Sequence, residues 1–310
     1  MKTSEAWRLE PTLRRVRVAD GAALQVAEYG QGPPLLLLHG FPDNGDLWVP
    51  VAKRLARHHR LWLPDLRGYR HSDKPPHAAD YSIDALVADV QALVTQMADG
   101  HTGPGSASRV SVAGHDWGGM LAWAVAARHP ASIERLVVIN APHPCRFAEL
   151  LQSDAAQRAA SAYVQRLCSP GASAALAADD FARLRGLVRS NLPELPAEEL
   201  ESQAQVWALP GALDAMLNWY RALDFERALA EGVSSLPDLG SASGHIEAPT
   251  LVLWGERDGS FVPANLDGLQ RWVPQLTLRL FGDAGHWLPR ERSDAVASAM
   301  LDFLGSTAPH

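Results

Sequence analysis

Cysteine is scarce in this chain: two residues in 310, Cys145 and Cys168. A disulfide scaffold is excluded, and reduced thiols in the cytoplasm are the expected state. No Cys/His cluster has the spacing of a zinc site, so no metal is expected. There is no G-x-x-x-x-G-K-[ST] loop, and the glycines around 114–119 do not spell G-x-G-x-x-G, so a nucleotide site has no support. No apolar run reaches the roughly 18–20 residues of a membrane span. The opening stretch, MKTSEAWRLEPTLRR, lacks the apolar segment of a signal peptide. Positive charge is in deficit, with 28 Lys and Arg against 35 Asp and Glu, a net of −7. Nucleic acid and anionic membrane are therefore not expected as partners. A homodimer is compatible with the sequence.

What is present is a large apolar fraction, 47% of residues, enough to bury a sizeable core. The runs RVRVA (15–19) and ALQVAEY (23–29) read as an opening hairpin turning at Asp20-Gly21. PLLLLHG (34–40), HRLWLPD (59–65), RVSVAGH (109–115) and RLVVIN (135–140) are continuous apolar runs, the mark of strands covered on both faces. Helical patterns lie between them at 46–58, 82–98 and 118–129, which argues a mostly parallel sheet flanked by helices. From 145 to 245 the pattern is Ala/Leu-rich, helical and broken by prolines. Strand–helix alternation then resumes with PTLVLWG (249–255), LTLRLFG (276–282) and a helix over 291–305. The expected organisation is a core of residues 1–144 and 246–310 interrupted by an all-helical cap, 145–245.

Gly114-His115-Asp116-Trp117-Gly118 follows a strand and opens a helix, the context of a nucleophile elbow. The sharp turn strains residue 116 and brings the chain so close at 114 and 118 that side chains there would clash. An aspartate N-cap is the plainer alternative. Two further residues weigh against it: His286, on a glycine-flanked loop after the last strand, and Asp258, just past the strand before it. The order nucleophile, acid, histidine, with the helical block between the first two, is the α/β-hydrolase order. The backbone N–H groups of Phe41, after His39-Gly40, and of Trp117 are the candidate oxyanion donors.

The stretches HGFPDNGDLW (39–48), PDLRGYRHSDKP (64–75), GHDWGG (114–119), INAPHP (139–144), NWYRA (218–222), LWGERD (253–258) and AGHW (284–287) resemble the α/β-hydrolase superfamily along nearly the full length. Within it, the chain resembles the epoxide hydrolase and haloalkane dehalogenase branch, whose nucleophile is aspartate. Arg70 departs from the resemblance, standing where relatives usually carry a second glycine.

The resemblance implies a cofactor-independent hydrolase. Asp116 attacks an sp³ carbon and forms an ester, and His286, oriented by Asp258, activates the water that cleaves it. The leaving group separates two readings. An epoxide leaves as an alkoxide and needs an acid, best a phenol. Tyr220, in NWYRA, matches a ring-opening tyrosine, and Tyr163 is the candidate for a second. Relatives often place that second tyrosine nearer the Pro170-Gly171 break, so Arg166 competes for the position. A halide instead needs N–H donors, and Trp117, Trp207 or Trp219 are candidates. Phe41 stands where haloalkane dehalogenases often have asparagine, which favours the epoxide. Fluoroacetate dehalogenases carry arginine after the nucleophile. Trp117 and Met120 supply no such charge, which disfavours a small anionic acid. Phe41, Trp117, Trp219 and Trp287 are the expected walls of an apolar pocket for an aromatic or alkyl epoxide.

Overall fold

A computed structural model describes residues 10–100, 109–223 and 244–305. Part of the expected cap, 224–243, and the first nine residues lie outside that range. Eight strands form one sheet: β1 (Thr12–Arg17), β2 (Ala23–Tyr29), β3 (Pro34–Leu38), β4 (Arg60–Pro64), β5 (Val110–His115), β6 (Ile133–Ile139), β7 (Thr250–Gly255) and β8 (Leu276–Phe281). Their order is β1-β2-β4-β3-β5-β6-β7-β8. β2 pairs antiparallel with β1 and β4, and every other pairing is parallel. All residues of β3 and β7 are buried, as continuous apolar runs require of strands covered on both faces. β8 lies at the edge and is exposed along most of its length.

The chain leaves β3 toward β4 through α1 (Val49–Leu55). It then returns past β3 to β5 through α2 (Ile83–Asp99), and reaches β6 through α3 (Trp117–Arg128). Right-handed crossovers in opposite directions put α1 on one face and α2 and α3 on the other. The order therefore reverses between β3 and β5, and open α/β sheets form their sites at the carboxyl ends of strands flanking such a point.

Among the described residues, six helices lie between β6 and β7: α4 (Pro144–Ser153), α5 (Ala155–Ser161), α6 (Tyr163–Cys168), α7 (Ala172–Asn191), α8 (Ala197–Trp207) and α9 (Ala212–Arg221). The last helix, α10, spans Ser293–Gly305. The helical character expected from 145 onward holds throughout the described part. α7 is two helical pieces joined by a kink at 178–181, where Asp179, Asp180 and Phe181 all have positive φ. Side chains tie these helices to the core: Trp207 Nε1 donates to the Pro42 carbonyl, Trp219 Nε1 to the Arg67 carbonyl (both 2.9 Å), and Gln203 Nε2 to Asp43 (3.0 Å). Among the described residues no helix is long and apolar enough to cross a membrane.

Two local expectations shift. The helix expected over 46–58 is a 3-10 turn, Gly45–Trp48, followed by the shorter α1, with Pro50 at its second residue. At Arg70 the loop keeps the left-handed backbone that glycine would adopt (φ 39°), and the side chain pairs with Asp46 at 2.9 Å.

Candidate active site

The carboxyl ends of five strands converge. Asp116 stands between β5 and α3 with φ 53° and ψ −123°, a conformation L-residues avoid. The approach around it is too close for side chains. A Cβ on Gly114 would overlap the Gly118 carbonyl, and one on Gly118 the Leu38 carbonyl. In return the carboxylate stands clear of the sheet edge. Its Oδ1 accepts the Phe41 N–H, from the loop after β3, at 2.8 Å, and the Trp117 N–H also bonds the carboxylate. Both expected oxyanion donors thus address the same group.

His286, on the loop after β8, sits with Nε2 3.5 Å from Asp116 Oδ2 and Nδ1 2.8 Å from Asp258 Oδ2. Asp258, after β7, is fixed by the backbone N–H groups of Ser260 (2.7 Å) and Phe261 (3.1 Å) on its other oxygen. All three side chains are almost wholly buried. Burial raises both carboxyls, but His286 outweighs it, and Asp116 and Asp258 both lie below the usual carboxylate range. For the imidazole, burial works downward, yet the two carboxylates prevail and lift it to about 10. The resting site is therefore two carboxylates and an imidazolium.

Above the carboxylate lies a cavity of about 610 Å³, within the usual range of small-molecule sites. Asp116, His286, Phe41, Trp287, Tyr163 and Tyr220 all line it. Tyr163 opens α6 and Tyr220 lies near the end of α9. Their rings meet edge-on at 6.4 Å, and the Tyr163 hydroxyl lies near Tyr220 and Ser260. Burial pushes both phenols up, aided by the Asp116 and Asp258 charges at Tyr163 and by Tyr163 and Asp116 at Tyr220, so both remain protonated. Between the two positions weighed on α6, it is Tyr163 that faces Asp116. Arg166 lies one turn further on and lines the same cavity.

Trp117 and Trp219, expected in the wall, stand behind it. Trp117 packs edge-on against Tyr220 at 5.2 Å and Trp219 at 5.5 Å. Tyr220 fills the space between these indoles and the cavity. Phe41 and Trp287 do form wall; Phe41 meets Tyr220 edge-on at 5.4 Å. Among the described residues, no group of His, Cys, Asp or Glu is arranged to hold a metal.

The alpha/beta hydrolase fold family matches residues 33–292. The chain belongs to this family. It is 33% identical to the AB hydrolase superfamily protein YfhM of Bacillus subtilis (strain 168), over 92% of this chain and 95% of that one. It is 32% identical to epoxide hydrolase 4 of Mus musculus, over 93% and 78%. The crystal structure of Bacillus megaterium epoxide hydrolase in complex with an inhibitor superposes with a TM-score of 0.85 at 29% identity, covering 94% of this chain and all of that one.

Two polar residues of this hydrolase's site escaped the sequence reading. Asn140, just past β6 with φ 43°, donates to Asp258 Oδ2 at 2.8 Å and accepts the Gly255 N–H at 3.0 Å, so it locks Asp258 to the end of β7. Its signal was a polar residue directly after an apolar strand, in INAPHP. Asp43 is buried between the cap and the histidine loop. It accepts Trp287 Nε1 at 2.7 Å and Gln203 Nε2 at 3.0 Å, and burial raises its carboxyl despite the nearby Arg290.

Proposed function

We propose that the chain is an epoxide hydrolase that converts an epoxide and water to a vicinal diol through an ester on Asp116. With Oδ1 held by the Phe41 N–H, Oδ2 is the attacking oxygen. It displaces the ring oxygen from carbon, and Tyr220 or Tyr163 gives that oxygen its proton. Esterification removes the charge that held the proton on His286, so the imidazole turns from acid to base. The proton it sheds replaces the one the tyrosine gave up.

His286 then takes a proton from water, whose oxygen attacks the Asp116 carboxyl carbon. The oxyanion develops on Oδ1, where the Phe41 N–H already points, with the Trp117 N–H beside the carboxylate as the second donor; such donors are typically worth several kcal/mol. Collapse breaks the bond to Oδ2, which leaves in the diol, and water's oxygen stays in Asp116. Asp258 steadies the imidazolium. On this reading residues 145–245 form the cap that carries both acids, over a core of 1–144 and 246–310.

The observation that carries the reading is the pair of protonated phenols sharing one cavity with Asp116. The halide reading lacks its donors, because the indoles of Trp207 and Trp219 are committed to backbone carbonyls and Trp117 stands behind Tyr220, outside the cavity wall. Incubation with styrene oxide and, separately, with a bromoalkane tests it. Diol from the first and little halide from the second is the expected result; halide release without diol formation would refute it.

A further inference from the structure

The cap carries seven arginines among its described residues, and five have partners. Arg146 binds Glu149 and the Ala264 carbonyl, Arg158 the carbonyls of Leu151 and Gln152, and Arg185 Asp180 and Glu201. Arg189 binds the Leu195 carbonyl, and Arg221 binds Asp214. Arg166 and Arg183 make no side-chain bond to any described residue, and these two line the cavity above Asp116. Among the described residues, Asp116 and His286 are the other charged side chains in the cavity wall. Both guanidiniums are exposed, in a chain whose net charge is −7.

Their placement follows from the cap's geometry. Arg166 is one helical turn beyond Tyr163, so it shares the face of α6 that carries the candidate acid. Arg183 stands two residues past the left-handed kink of α7, which redirects the second half of that helix. Leu167, Leu176, Leu184 and Leu187 also line the cavity. The cavity therefore offers three chemistries: a carboxylate and two phenols at its floor, an aliphatic wall, and two unpaired cations held by exposed residues.

We infer that Arg166 and Arg183 form an anion subsite, selecting epoxides that carry a carboxylate or phosphate several carbons from the ring. The inference rests on the epoxide hydrolase reading of the same cavity and deepens it. The charge is recognised away from the nucleophile. This is consistent with Trp117 and Met120 offering no cation beside Asp116. An anionic group next to the ring would instead meet the Asp116 carboxylate and be repelled.

The test uses terminal epoxides of eight, ten and twelve carbons, each as the ω-carboxylate, as the matched primary amide and as the phosphate monoester of the matched alcohol. The readout is the ratio of kcat/KM for anion over amide. Pairs of exposed charges are modest, so at the best length the wild-type ratio is expected to be roughly tenfold and to shrink with added salt. In Arg166→Gln/Arg183→Gln it should fall to about one, and Arg166→Glu/Arg183→Glu should bring it below one. Comparing the carboxylate and phosphate arms identifies which anion the subsite prefers. Turnover of the amides with no preference for either anion at any length would overturn the subsite and leave the hydrolase reading standing. A preference that survives the double substitution would do the same. Turnover of no epoxide, charged or neutral, would remove both.

Discussion

The protonation of His286 depends on Asp116, and the substitution Asp116→Asn measures that dependence. The two groups lie 3.5 Å apart and both are buried. At an effective dielectric of about 20, unit charges at this separation attract by about 5 kcal/mol. That corresponds to more than three pKa units at about 1.4 kcal/mol each. The amide oxygen of asparagine retains part of the stabilisation through its dipole, and Asp258 remains 2.8 Å from the other nitrogen. Removing the anion disfavours the imidazolium, so the pKa falls. The expected drop is about two to three units, from about 10 toward neutrality. Titration of the His286 ring followed by NMR reads it directly, without substrate. The same loss of charge accompanies ester formation, so the variant reports the state in which the histidine must act as base. A ring pKa within half a unit of wild type would refute the coupling, and with it the proposed change of role.

Three further outcomes follow from the site. In single-turnover alkylation the rate should be flat from neutrality down to about pH 4, because Asp116 is held below the ordinary carboxylate range, and should not decline on the alkaline side before about pH 10, because both phenols are raised; stopped-flow fluorescence across that range checks it. Tyr220→Phe should slow epoxide opening by about 10²-fold, the lower end for a general acid when Tyr163 remains, with a much smaller effect on any residual halide release. Asn140→Ala should leave the buried Gly255 N–H without its acceptor, costing about 1–3 kcal/mol in urea unfolding, and should slow ester hydrolysis more than ester formation, since only the second step needs Asp258 to hold His286 in place.

The parts of the molecule readable from sequence were those governed by local rules. β3 and β5 to β7 announce themselves because a strand covered on both faces needs an unbroken apolar run. The elbow is legible because backbone crowding at 114 and 118 leaves glycine as the side-chain-free choice. Asp116, Asp258 and His286 each follow a strand, so their convergence at one sheet edge could be anticipated from order alone. Legibility ends where a side chain's role depends on which way a helix is turned. The NWYRA motif locates both Trp219 and Tyr220 on α9, but only packing decides that Tyr220 faces the cavity and Trp219 faces Arg67. The kink in α7 has no glycine or proline to mark it, so Arg183 gave no hint of its position. Asp43 and Gln203 are 160 residues apart and meet only because the cap closes on the core.

The measurement that bears most directly on the account is the intact mass of His286→Ala after incubation with styrene oxide, followed by peptide mapping. The account predicts one added epoxide mass per chain, located on Asp116, which accumulates because the water that would cleave the ester is no longer activated. An unmodified mass, in a folded variant that still admits the epoxide, would contradict it.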